Sequence, residues 1–247
     1  MINAFLWGFL ATISLAVGGL IGIFFKIGKR PLGLIMSFGA GVLISAVAYE
    51  LVFKAIKGSV GSGASLIGLL SGAVVFFVVD LLISKMGAQG RKDFTGVHKA
   101  NFALPIVLGT ILDGIPETLV VGMSLLGGGE VGLGMLVAVF ISNLPEAIAG
   151  TSGMVAGAWS RKKIMLLWLL IAVICALSSM AGYSLLGNAS PTTVSFIQTF
   201  AGGAILVMLA NTMIPEAFEH GGKLAGIFNV LGFAVAVSIA VLEAFPH

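Results

Sequence analysis

Two short segments carry most of the chemistry in this chain: Asp113-Gly-Ile-Pro-Glu-Thr118 and Ser142-Asn-Leu-Pro-Glu-Ala147. Asp113 and Glu117 stand at i and i+4, so on a helix both leave from one face. Asn143 and Glu146 are at i and i+3, and Ser142 lies at i−4 from Glu146, so these three share a face as well. Pro116 and Pro145 have no N–H to donate, which frees the carbonyls of Leu112 and Ile141. A freed carbonyl beside a carboxylate is one more oxygen ligand. Two such helices facing each other would present carboxylates, an amide oxygen, a hydroxyl and carbonyls. That donor set makes a cation site of hard oxygen ligands, and its candidate members are Asp113, Glu117, Ser142, Asn143 and Glu146.

The elements that hold these residues are set by composition. Of 247 residues, 58% are hydrophobic and 9% charged, against about 25% charged in a soluble domain. A soluble globule needs more charge than this to cover its surface, so a soluble enzyme, a disordered chain and a nucleic-acid-binding domain are excluded. The net charge of +3 therefore carries no nucleic-acid meaning. Cys175 is the only cysteine, so neither an intramolecular disulfide nor a CxxC motif can form.

A helix needs about 20 apolar residues to cross the hydrocarbon core of a bilayer. Eight segments qualify: 4–25, 32–53, 64–84, 102–126, 132–158, 164–186, 194–217 and 224–245. The expected fold is an all-α polytopic membrane protein, one transmembrane domain over 1–247. The first segment is followed, not preceded, by basic residues (Lys26, Lys29, Arg30), so it reads as a retained span rather than a signal peptide. Of the 13 lysines and arginines, all but Lys54 and Lys57 fall after spans 1, 3, 5 and 7. The positive-inside rule puts those loops in the cytoplasm and both termini outside; the expected location is a plasma (inner) membrane.

Two internal repeats are visible. The Pro-Glu segments of spans 4 and 5 form one. The other pairs Phe38-Gly-Ala-Gly-Val-Leu-Ile-Ser-Ala-Val-Ala48 in span 2 with Phe200-Ala-Gly-Gly-Ala-Ile-Leu-Val-Met-Leu-Ala210 in span 7. Repeats with Pro-interrupted helices between them are the sequence mark of a secondary transporter, although glycine-rich packing faces also resemble one another.

Ionisable groups at membrane depth are costly, and by default they suggest function. Asp113, Glu117 and Glu146 lie well inside their spans with no mid-span lysine or arginine to neutralise them. Unless hydrated, they must be protonated or hold a cation. Asp80 and Glu243, near span ends, read as hydrogen-bonding groups, and Glu130 and Asp93 as solvated loop residues. Glu50 is open to either reading, and it is not settled whether Glu50 and Glu216 line the pathway. Trp7 and Trp168 are expected at the interface. No Ser-His pair, HExxH or GxSxG occurs in a span, so an enzyme is not expected.

The paired Pro-Glu motifs resemble the His-Asn-x-Pro-Glu-Gly motifs of the ZIP family of zinc and iron transporters. Met213-Ile-Pro-Glu-Ala217 and Phe38-Gly-Ala-Gly41 are also similar to that family, as are eight spans with both termini outside. The resemblance implies passage of a divalent metal ion, of the Zn²⁺, Fe²⁺ or Mn²⁺ class, into the cytoplasm. It implies the metal as cargo and no other cofactor, with the lipid bilayer and a second copy in a homodimer as partners. By position, Asp113 stands for the first motif histidine and Ser142 for the second, while Glu117, Asn143 and Glu146 match. Gly114 replaces the asparagine, and Thr118 and Ala147 the glycines. Imidazole suits Zn²⁺ and oxygen donors suit harder ions, so the changes bear on which metal is carried. The alternatives are a proton-coupled carrier of another solute and a ZIP-like protein that no longer transports.

Overall fold

The computed structural model describes residues 1–59, 62–85, 103–126 and 131–244. The expectations for Asp93 and Glu130, and for the side chain of Glu243, lie outside the described residues. Within them the protein is all-helical, with eight helices long and apolar enough to cross a membrane. They are α1 (Ile2–Phe24), α2 (Lys29–Gly58), α3 (Ala64–Ile83), α4 (Ala103–Ser124), α5 (Leu133–Ala156), α6 (Arg161–Leu186), α7 (Pro191–Gly221) and α8 (Leu224–Ala244).

Hydropathy located these helices, but capping sets their ends. α7 begins three residues before its apolar run, because the Ser190 hydroxyl accepts from Thr193 N at 3.1 Å and Pro191 follows. α6 likewise begins at Arg161 under a Ser160 cap. The Arg161 guanidinium lies 5.3 Å from the Phe24 ring, which ties the start of α6 to the end of α1. Left-handed glycines, Gly63 (φ 67°) and Gly222 (φ 64°), turn the chain just ahead of α3 and α8.

The helices pack in two groups. In one, α1 lies on α5 and α6, and α6 lies on α4; in the other, α3 runs along α7 and α8 along α2. The groups meet where α2 touches α5 and α7 touches α4. Lipid is as apolar as leucine, so helices associate through close backbone approach at small residues. The approaches come in matched pairs. A Cβ on Gly41 would overlap the Asn229 carbonyl, and one on Gly203 the Leu69 carbonyl. A Cβ on Gly232 would overlap the Phe38 carbonyl, and one on Gly72 that of Phe200. The offset from Phe38 to Phe200 also takes Gly41 to Gly203. In the other group, Gly22 faces the Ile148 carbonyl and Gly182 that of Leu119. Gly18 faces the Leu144 carbonyl where the Ser178 hydroxyl donates to Ile115 O at 3.0 Å. Ile115 and Leu144, like Leu119 and Ile148, are the residues matched when the two Pro-Glu segments are aligned.

Both α2 and α7 carry a π turn, at Val47–Phe53 and Leu209–Met213. The two turns start at residues related by that same Phe38-to-Phe200 offset. Their local causes differ. In α7 the turn precedes Pro215, whose ring would clash with the Asn211 carbonyl in a regular helix. In α2 the only proline, Pro31, is far from the turn; instead Gln198 Nε2 donates to the Glu50 carbonyl at 2.9 Å, inserting a side chain into the ladder.

Trp168 corrects one expectation. It is fully buried, with its indole N–H donating to Thr151 Oγ1 at 2.8 Å, and Gly19 leaves the room its ring needs. A partner for the N–H inside the bundle removes the reason for a tryptophan to sit at the headgroups.

Candidate cation site

α4 and α5 run as helices through Pro116 and Pro145. The i, i+4 and i, i+3 spacings therefore hold, and the five candidates are all buried. Asp113, Glu117 and Asn143 are each 2% exposed, Ser142 4% and Glu146 9%. Every charged side chain among the described buried residues is acidic: Glu50, Asp80, Asp113, Glu117 and Glu146.

The two helices are joined at the site by a hydrogen bond. Thr110 Oγ1 donates to Glu146 Oε1 at 3.1 Å, with both residues buried. Thr110 is at i−3 from Asp113 and so extends the same face toward the start of α4. The Ser142 hydroxyl donates to Val139 O at 3.1 Å, which leaves its oxygen lone pairs to accept or to ligate. Asn143 Nδ2 is buried without a hydrogen-bond partner. Gly39 of α2 sits over Ser142 with the Met213 methyl beside it, so both halves of the bundle close on this point.

Cys175 of α6 packs against α4 beside the site, a contact that spacing did not reveal. Its sulfur fills the space a Cβ on Gly114 would take. Gly114 is thus more than a lost ligand: its bare backbone is what lets α6 approach.

Among the described residues, no three His, Cys, Asp or Glu side chains stand together as a ready-made metal cluster. An ion held here would draw on neutral oxygens or on helix movement to complete its shell. A separate crevice of about 250 Å³ lies beside Pro116, lined by Phe76, Leu112, Leu119, Phe200 and Ala204. It is apolar and offers nothing to an ion. Glu216, near the end of α7, is only partly buried, while Asp80 is buried on α3. No protein-family model matches the chain, and no curated protein matches it.

Proposed function

We propose that the chain is a divalent metal ion transporter, moving an ion of the Zn²⁺, Fe²⁺ or Mn²⁺ class into the cytoplasm through an oxygen-rich site between α4 and α5. The observation that carries this reading is the burial of Asp113, Glu117 and Glu146 with Asn143 on two proline-containing helices, among described buried residues that include no Lys, Arg or His. Carboxylates removed from water cost several kcal/mol each unless a proton or cation compensates them. A cargo cation supplies that compensation only while it is bound, which is what a transport site needs.

The packing supports the reading in a second way. The matched contacts relate α2 to α7 and α4 to α5, pairs that cross the membrane in opposite directions if the spans alternate. Inverted repeats of this kind place the substrate site where interrupted helices meet. The resemblance of the Pro-Glu motifs to the ZIP family points to the same cargo, and the lysine and arginine distribution to termini outside. A site without a preformed cluster suits release better than capture.

Purified protein in proteoliposomes, offered a panel of divalent ions, should take up at least one of them faster than protein-free vesicles. Proton-relay carboxyls in a carrier of another solute would also lack a metal cluster. Thermal stabilisation of the protein by Mn²⁺ or Zn²⁺ separates the two readings.

A further inference from the structure

We propose that Glu50 is a positioning residue, a latch that pins the N-terminal end of α5 to the π turn of α2. Its functional consequence rests on the metal-site reading above; its geometry does not. Glu50 is 7% exposed. Its carboxylate projects onto the start of α5, where Oε1 takes the space of a Cβ on Gly134 and Oε2 crowds that of a Cβ on Gly132. Gly132 is the N-cap of α5 and has no side chain to cap with. The first turn of a helix presents N–H groups that lack intrahelical partners and carries the positive end of the helix dipole. A carboxylate brought from another helix answers both needs at once.

The backbone of the same residue is engaged as well. Its carbonyl accepts from Gln198 of α7 at 2.9 Å, so a single residue joins α2, α5 and α7. Glu50 lies in the middle of the π turn, Val47–Phe53. The matched position in the second π turn holds Thr212, whose hydroxyl bonds back to Met208 O of its own helix at 2.7 Å. The latch therefore has no counterpart there. It acts on the helix that carries Ser142, Asn143 and Glu146, about two to three turns further along.

The test uses full-length protein in detergent with Cys175→Ala and a reporter, Met135→Cys, in the first turn of α5, where Met135 is 1% exposed. The rate of labelling by a small maleimide is measured. Glu50→Ala removes the latch. Gly134→Ala evicts it, because the clashing atom is the end of a flexible side chain. Each should raise the labelling rate about tenfold or more, and the double variant should label no faster than either alone, since both break one contact. Glu50→Gln, which keeps an acceptor oxygen but loses the charge, should fall between. Unchanged labelling in Glu50→Ala and Gly134→Ala, or additive effects in the double variant, overturns the latch. If Glu50→Ala does not fold, Gly134→Ala decides alone. In uptake assays Glu50→Ala should slow transport with the order of preferred ions unchanged; a changed order would make Glu50 a ligand instead. If labelling responds but the wild type carries no divalent ion, the metal reading fails and the latch stands. If uptake is present and labelling does not respond, the latch fails alone.

Discussion

Replacing Thr110 with Val removes a single hydroxyl from the site and leaves the shape of the side chain almost intact. That hydroxyl is buried and donates to Glu146 Oε1 at 3.1 Å. A hydrogen bond to a charged group contributes about 1.5–3 kcal/mol, and 1.4 kcal/mol is a factor of ten in an equilibrium constant. If the bond orients the carboxylate for an ion, its loss should weaken metal binding about tenfold to hundredfold. The lower end is expected, because the free carboxylate also loses the bond and the two states partly cancel. Binding is read from the rise in melting temperature of detergent-solubilised protein with Mn²⁺ concentration, since stabilisation follows RT ln(1 + [L]/Kd). Thr110→Ser keeps the hydroxyl and should bind within a few-fold of wild type. Equal Kd values for Thr110→Val and wild type would refute the reasoning and make the contact one of packing alone. So would a Thr110→Ser variant as weak as Thr110→Val.

Asp113→His should shift preference toward Zn²⁺ relative to Mn²⁺, because it brings a borderline-soft nitrogen to an oxygen site; an unchanged ranking in competitive uptake would remove Asp113 from the ligand set. Gly22→Val and Gly182→Val should each lower stability by about 1–3 kcal/mol, since their side chains would press on the matched carbonyls of Ile148 and Leu119. Thermal unfolding checks this, and full tolerance of either would sink the matched packing. In a Cys175→Ala background, cysteines placed after α1, α5 and α7 should resist an impermeant thiol reagent in intact cells while those near the termini label; the reverse pattern inverts the orientation.

How much of this was legible in the sequence depends on the range of the interaction. The eight helices were legible because lipid demands one long apolar run per crossing, and the faces of α4 and α5 because i, i+4 spacing is local. Helix starts were less so, since Ser160 and Ser190 cap ahead of the apolar runs. Thr110 gives no signal of its own, because a threonine in an apolar span usually bonds back to its own helix, as Thr118 does and Thr12 does in part. Cys175 and Gly114 lie on different helices, and only packing shows that one fills the space left by the other. Trp168 was misplaced for the same reason: its partner Thr151 is on another helix. Neither π turn is written in propensity. One needs Gln198 from a neighbour, and the other lies just ahead of a proline whose usual reading is a kink.

On the proposed function, buried carboxylates on α4 and α5 hold a divalent ion in passage. The most direct test is initial-rate uptake of a radioactive divalent ion into proteoliposomes containing wild type, Glu117→Gln or Glu146→Gln, normalised to inserted protein. Glutamine keeps the volume and a carbonyl oxygen, so packing survives; what is lost is the charge that offsets the ion's desolvation. Uptake at the level of empty vesicles is expected for both variants, with exposed Glu219→Gln at the wild-type rate. Wild-type uptake by both Glu117→Gln and Glu146→Gln would contradict it.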